Sequence, residues 1–341
     1  MKVVDILFDT NTFVLKQETL GIDNKCTDTR ELHIAFGADD NYIFAVGTAI
    51  TSIAFNNPSI FLHFYIVTGS ISKFNKDGLN ELASQYRNIQ ITVFYINDDI
   101  FKNLRTTVQW SLATYYRLIL GCLLGEKIDN LLYLDADIIC LGKLDGLLDI
   151  DLTGNIAAVV SNTDEKKACK YLKTVADFQS EKCFNAGVLF INLKEWNKEN
   201  IMQRALDLLN SGTVFAYLDQ DVLNIIMQNK VIYIDDKYNY QYFLRYDHDI
   251  ASDAVLVHYI TGFKPWIYGY QDHLAAQKYI YYKEISPWKT LPLLLPKLTQ
   301  SMREAIKYSF RHKNYGKAVF WTVKLGMETI RKIKNSITKR L

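Results

Sequence analysis

Between residues 31 and 140, short apolar runs of strand character alternate with segments of helical periodicity. "ELHIAFGADDNY" opens as a strand and breaks at Gly37 into a polar turn, and "YIFAVGTAITSIAFNN" then repeats its apolar residues at helical spacing. "IFLHFYIVTG" is a β-branched and aromatic run ending at glycine, "KDGLNELASQY" reads as a helix, and "IQITVFYIN" as the next strand. "WSLATYYRLILGCLLG" predicts an amphipathic helix carrying Arg117, and "NLLYLDADIIC" a further strand; later strands are expected at "IAAVVS", "AGVLFINL", "KVIYID" and "AVLVHYI". This alternation predicts an α/β fold with a doubly wound, mostly parallel sheet covered on both faces. Ligands of such sheets bind beyond the C-terminal strand ends, where Asp39–Asn41 and Asp135–Asp137 both fall.

After about residue 275 the character of the chain changes. "YYKEISPWKTLPLLLPK" is proline-rich, and a long basic helical stretch follows it. We therefore expect a first domain over 1–275 and a helical extension over 276–341. Residues 301–341 hold eleven Lys or Arg and two Glu, a net charge of +9 in a chain whose total is +2. Such asymmetry points to an acidic surface as partner, either anionic lipid or nucleic acid; no nucleic-acid-binding module accompanies it. Trp288 and Trp321 are candidate interfacial anchors in that segment. The five cysteines, Cys26, Cys122, Cys140, Cys169 and Cys183, have no metal-type spacing and read as free thiols of a reducing compartment. Asp5 and Asp9 interrupt the first apolar stretch, and "LILGCLLG" is too short to span a bilayer, so a cytosolic protein able to attach to a membrane surface is expected.

Asp135 and Asp137 raise the main chemical question. In extended backbone, residues i and i+2 point the same way, and two carboxylates in one crevice suit a hard divalent cation, Mg²⁺ or Mn²⁺. A pair of solvated turn aspartates is the plainer alternative. His258 ends a strand and could add an imidazole ligand or pack as a rim histidine. Gly262 permits close backbone approach and Lys264 can place a charge on a phosphate, or both belong to an ordinary loop before Pro265. Asp39 and Asn41 could hold a nucleoside or simply cap the helix that follows. Asn185, with the small Ala186 and Gly187 beside it, could meet a sugar hydroxyl or make a turn. Asp219, Gln220 and Asp221 open a helix, as caps or as a sugar site. Arg117 either snorkels outward or reaches the crevice.

Taken in order, "FGADDNY", "YYRL", "LYLDADI", "FNAGVLFINL", "LDQDVLN" and "HYITGFKPW" resemble glycosyltransferase family 8, over about residues 31–270. The segment after residue 279 and the N-terminal "VDILFDTNTFVL" resemble the members that build the bacterial lipopolysaccharide core. The resemblance implies a Rossmann-like nucleotide-sugar fold of the GT-A type with a basic C-terminal extension. It implies a retaining transferase that moves glucose or galactose from UDP-glucose or UDP-galactose to the lipopolysaccharide outer core, peripheral on the cytoplasmic face of the inner membrane. A UDP-GlcNAc donor or another acceptor is the alternative within the family. Outside it stand a phosphatase of the haloacid dehalogenase type using Asp135, and a non-catalytic membrane adaptor. The resemblance makes Asp135, Asp137 and His258 the metal ligands. Gly37, Ala38, Asp39, Asn41, Tyr42, Ala136, Gly262 and Lys264 would line the UDP site. Arg117, Asn185, Ala186, Gly187, Asp219 and Gln220 would face the donor sugar, with Gln220 and Asp219 positioning it for reaction. Two positions depart from the family pattern: Thr261 stands where members often carry glycine, and Ser161 or Asn162 where an aspartate is common.

Overall fold

The computed structural model describes residues 13–21, 30–107, 110–246 and 248–338. Cys26 and most of "VDILFDTNTFVL" lie outside them. The strands are β1 (Val14–Leu20), β2 (Glu31–Gly37), β3 (Phe61–Thr68), β4 (Ile89–Ile96), β5 (Asn130–Leu134), β6 (Ile138–Cys140), β7 (Ala157–Ser161), β8 (Phe184–Asn192), β9 (Val231–Tyr233), β10 (Tyr240–Tyr242) and β11 (Leu256–Tyr259). The helices are α1 (Ile43–Asn56), α2 (Lys73–Gln85), α3 (Leu120–Leu124), α4 (Glu165–Val175), α5 (Leu193–Lys198), α6 (Ile201–Leu209), α7 (Asp219–Met227), α8 (Leu274–Glu284), α9 (Thr299–Arg311) and α10 (Tyr315–Thr338).

The chain divides into two compact units, Met1–Tyr240 with Asp253–His258, and Gln241–Ser252 with Tyr259–Leu341. The first holds an eight-stranded sheet in the order β1-β4-β3-β2-β5-β8-β7-β9. The pairs β4–β3, β3–β2, β2–β5 and β7–β9 are parallel, as the alternation predicts. β8 differs: it runs antiparallel between β5 and β7. Its N-terminal end therefore meets the C-terminal end of β5. Residues of both parities are buried along β2 and β3: Ala35 and Val67 on one side, Ile34, Phe36, Phe64 and Ile66 on the other. Both faces of the sheet are thus covered, and the strands read as near-continuous apolar runs for that reason.

Helix α1 is buried at every position from Ile43 to Ala54, which is why its sequence is apolar all round. Its polar residues cost little, because Thr48, Thr51 and Ser52 donate to carbonyls of the preceding turn. The expected helix around Arg117 is instead a 3-10 segment, Leu112–Ile119, continuing into α3.

Two expectations are overturned here. Cys169 and Cys183 form a disulfide, their Cα atoms brought to 5.7 Å where α4 returns to the start of β8; only Cys122 and Cys140 are free among the described residues. The second unit corrects the tryptophans. Trp288 and Trp321 are 0 % and 2 % exposed, Trp321 packing on Met302, Ala305 and Tyr268, so neither reaches an interface. Large apolar side chains are exposed instead on α10, at Val319, Val323, Met327 and Ile330. Among the described residues no helix is long and apolar enough to cross a membrane.

Candidate active site

Asp135 and Asp137 lie outside the strands. They occupy the turn between β5, in the large sheet, and β6, which pairs antiparallel with β11. The carboxylates converge because the chain changes sheets here, not because a strand repeats every second residue. In register with Ile138, the β11 residue His258 is carried to the same turn. Ligand atoms of Asp135, Asp137 and His258 all lie within 4.8 Å of one another. The imidazole Nε2 is 3.2 Å from Asp137 Oδ1 and 3.8 Å from Asp135 Oδ2. The His258 side chain is 5 % exposed, against 28 % and 16 % for the two carboxylates, so the cluster opens on its acidic side.

A run of side-chain amides behind His258 fixes its tautomer. The Gly187 amide N–H donates to Asn185 Oδ1 at 3.0 Å, so that atom is an acceptor. Asn239 must then present its NH₂ to the same oxygen, at 2.9 Å, which turns its own Oδ1 toward His258 Nδ1 at 3.0 Å. Nδ1 therefore carries a proton, and Nε2 is the ring atom turned to the two carboxylates, where a metal ion or a second proton would sit between them. Three electron-rich atoms facing one another repel unless a cation lies among them. The donor set, two carboxylates and one imidazole whose Nδ1–H is held from behind, fits a divalent metal on this ground. Gly187 also has to be glycine, because a β-carbon there would overlap His258 Cε1 and lie 2.9 Å from Asp135 Oδ2.

The run continues to Gln220, whose Oε1 accepts from Asn185 Nδ2 and from the Ala186 amide, each at 3.1 Å. Ala186 is buried and Gly187 sits against the carboxylate turn, where its carbonyl accepts from the Asp135 amide at 2.8 Å. Ala136 occupies the turn between the two aspartates.

Arg117 does not snorkel. It is 5 % exposed and its guanidinium gathers the site: Nη2 donates to Asp135 Oδ1 at 2.8 Å, Nε lies 2.9 Å from Asp219 Oδ2, and Nη1 donates to the Ala186 carbonyl. The Tyr133 ring lies under it at 4.4 Å, and the Tyr133 hydroxyl donates to Asp135 Oδ1 at 2.9 Å. Burial opposes the charge on Arg117, but Asp135 and Asp219 outweigh it and move its pKa upward. Burial raises the pKa of Asp219, and Arg117 and the Thr114 hydroxyl, 2.9 Å away, partly offset this. Asp219 opens α7 immediately after Leu218, a buried residue held at φ +48°. Strain in a non-glycine residue at this point is stored beside the site it serves.

The residues expected at the nucleotide gather at the end of β2. A β-carbon on Gly37 would lie 3.0 Å from Ala113 O and Tyr116 Cβ, so glycine lets the 3-10 segment cross the strand end. The Ala38 amide donates to Val67 O at 3.1 Å. Asp39 takes the Asn41 amide at 3.0 Å, as a cap, and the Ser111 hydroxyl at 2.7 Å. Asn41 is exposed, and Tyr42 borders the carboxylates: burial and then the charges of Asp137 and Asp39 push its phenol pKa up. Gly262 and Lys264 belong to the second unit, where Lys264 Nζ donates to Tyr259 O at 2.6 Å. Thr261, the departure from the family pattern, takes φ +76°, a conformation that glycine adopts freely and a β-branched residue resists. Asn239, Tyr133 and Thr114 were not singled out from sequence; a lone asparagine in a polar loop carries no signal of the histidine it holds.

Comparisons with known proteins point to one family. Residues 33–269 match the family described as Glycosyl transferase family 8, and 275–325 its C-terminal counterpart. The chain is 35% identical over 300 residues to the lipopolysaccharide 1,3-galactosyltransferase of Salmonella typhimurium, covering 85% of this chain and 88% of that protein. It is 32% identical over 303 residues to the lipopolysaccharide glucosyltransferase WaaO of Escherichia coli, with the same two coverages of 85% and 88%. A solved structure of the galactosyltransferase LgtC in complex with donor and acceptor sugar analogues superposes with a TM-score of 0.63 at 25% identity, over 75% of this chain and 96% of that one. A phosphatase reading of Asp135 has no support beside these matches. With its GT-A-type sheet, its carboxylate–histidine turn and a family match spanning most of its length, the chain belongs to glycosyltransferase family 8.

Proposed function

We propose that this transferase moves glucose or galactose from its UDP derivative to the outer core of lipopolysaccharide, with retention of the α configuration. The observation that carries this is the Asp135–Asp137–His258 cluster, joined through Asn239 and Asn185 to Gln220. The lipopolysaccharide transferases among its relatives support the acceptor class.

Asp135, Asp137 and His258 would hold Mg²⁺ or Mn²⁺, which when bound neutralises charge on the departing diphosphate. The chain's own groups do the rest. Gly37, Ala38, Asp39, Asn41 and Tyr42 receive the nucleoside, and the family resemblance assigns Gly262 and Lys264 to the diphosphate. Arg117 locks Asp135 and Asp219 so that neither carboxylate swings as charge develops. Retention needs either a double displacement or attack on the leaving-group face. Asp219 is tied to Arg117 and Thr114, and Asp221 accepts from the Tyr217 amide at 2.8 Å and is 3 % exposed. Gln220 has its oxygen engaged twice. With no disengaged carboxylate among these three, we favour front-face attack. The acceptor oxygen bonds to the anomeric carbon as the bond to the phosphate oxygen breaks, and that phosphate oxygen takes the acceptor proton.

Membrane attachment fits the second unit. The exposed stripe Val319, Val323, Met327 and Ile330 runs along α10 beside Lys317, Lys324, Arg331 and Lys332. An apolar stripe rimmed by cations suits the anionic cytoplasmic leaflet. Replacing Val323 and Met327 by Asn should release the protein from anionic vesicles; unchanged co-sedimentation would remove this part of the proposal.

The deciding experiment is a panel of UDP-sugars, UDP-GlcNAc included, with and without Mn²⁺ and truncated lipopolysaccharide, following UDP release. Acceptor-stimulated, metal-dependent release with one hexose, lost in Asp135→Ala, is expected. Full activity of Asp135→Ala would overturn the assignment of the site.

A further inference from the structure

A second group of ligating side chains lies at the opposite end of β2. Glu31 and His33 on β2 and His63 on β3 offer ligand atoms that all lie within 4.8 Å of one another. Register produces this grouping. His33 pairs with His63 across the parallel strands, and Glu31 precedes His33 by two residues, on the same face. His63 is 8 % exposed, and its Nε2 lies 3.1 Å from Glu31 Oε2. The two imidazoles stack with centroids 4.6 Å apart, and His33 Nδ1 is 3.1 Å from the Tyr65 hydroxyl.

We propose that Glu31, His33 and His63 bind a borderline divalent transition ion of the zinc class, at a site separate from the Asp135 turn. Two imidazoles and one carboxylate suit Zn²⁺, Co²⁺ or Ni²⁺, whereas Mg²⁺ and Ca²⁺ favour all-oxygen sets. Tetrahedral bonds of about 2.0–2.1 Å place neighbouring ligand atoms about 3.3 Å apart. The Glu31–His63 separation of 3.1 Å is already close to that value, and the His33 ligand atom lies within 4.8 Å of both. Tyr65 supplies the outer contact typical of a metal-bound imidazole: with Nδ1 held by the hydroxyl, Nε2 is the nitrogen that takes the ion. Three protein ligands leave a fourth position for water. Glu31 and His33 precede Gly37 by six and four residues of strand, so the site stands about 13–20 Å from the strand end that carries the residues assigned to the nucleotide. An ion there would clamp the starts of β2 and β3 and would not touch the reacting groups.

The test is titration of the full chain with Co²⁺, reading visible d–d absorption, followed by displacement with Zn²⁺. The expected result is an intense near-tetrahedral band without thiolate charge transfer. It should require at least tenfold more Co²⁺ in His33→Gln and persist in Asp137→Asn. His33 is half-buried, so His33→Gln should keep the parent circular dichroism even if His63 variants fail to fold. A band unchanged in folded His33→Gln, a band lost in Asp137→Asn but kept in His33→Gln, thiolate charge transfer, or no tetrahedral band at all would each overturn the proposal.

Discussion

Asn239→Ala tests the amide run that sets the polarity of the candidate active site. The substitution removes two contacts, Oδ1 to His258 Nδ1 at 3.0 Å and Nδ2 to Asn185 Oδ1 at 2.9 Å. With His258 only 4 % exposed, its Nδ1–H is left without an acceptor, a cost of about 1–3 kcal/mol. The ring escapes that cost by moving its proton to Nε2, where Asp137 Oδ1 waits 3.2 Å away. The lone pair that a cation needs is then spent on a hydrogen bond. Loss of an outer-shell partner of this kind weakens metal binding by about 10–100-fold, equivalent to about 1.4–2.8 kcal/mol. Free Mn²⁺ measured by electron paramagnetic resonance during titration gives the affinity directly, without turnover. Asn239→Asp keeps an acceptor for Nδ1–H and should bind Mn²⁺ better than the alanine variant. An Asn239→Ala protein with parental circular dichroism and an Mn²⁺ affinity within twofold of the parent would refute the reasoning.

Gly187→Ala drives a methyl into His258, so transfer and Mn²⁺ binding should fall together by at least a hundredfold; retention of either contradicts the packing described. Asp221 is pushed up to about 6 by burial, partly offset by the Tyr217 amide. The folded chain thus holds a proton between about pH 4 and 6 that the unfolded chain has released, so stability falls as pH rises through that window and stays low above it. Asp221→Asn should flatten that slope and add at most about 3 kcal/mol at pH 7, read by urea unfolding; parallel pH profiles would count against it. Thr261→Gly relieves a β-branched residue at φ +76° and should stabilise the fold by about 1 kcal/mol, seen as a raised Tm; a lowered Tm means that the loop is held by its threonine.

Most of the sheet could be read from the sequence, because buried parallel strands carry β-branched runs and their helices carry a different period. The direction of β8 could not: nothing local in "NAGVLFINL" distinguishes a strand that enters antiparallel. The acidic pair was visible as a pair, yet its convergence depends on a turn between two sheets and not on strand periodicity. Arg117 was ambiguous from sequence since a lone arginine in an apolar segment has two outcomes, and only the buried carboxylate of Asp219 decides between them. Asn239 and the Cys169–Cys183 pair left no trace, because each acquires meaning from a partner brought close by the fold. The tryptophans misled in the other direction: amphipathic rings near a basic segment suggest an interface, and the helix pair α9–α10 uses Trp321 as core.

The antiparallel entry of β8 has a consequence for the order in which the protein is made. The turn at Asp39 and the carboxylates leave the ribosome early, but the asparagine run and His258 arrive only after the chain has returned through β8 and β11. A stalled or clipped chain ending before His258 therefore carries the Asp39 turn and the two carboxylates without the imidazole that groups with them. Such fragments should be inert toward UDP-hexose. Turnover of UDP-hexose by residues 1–250 alone would show the opposite.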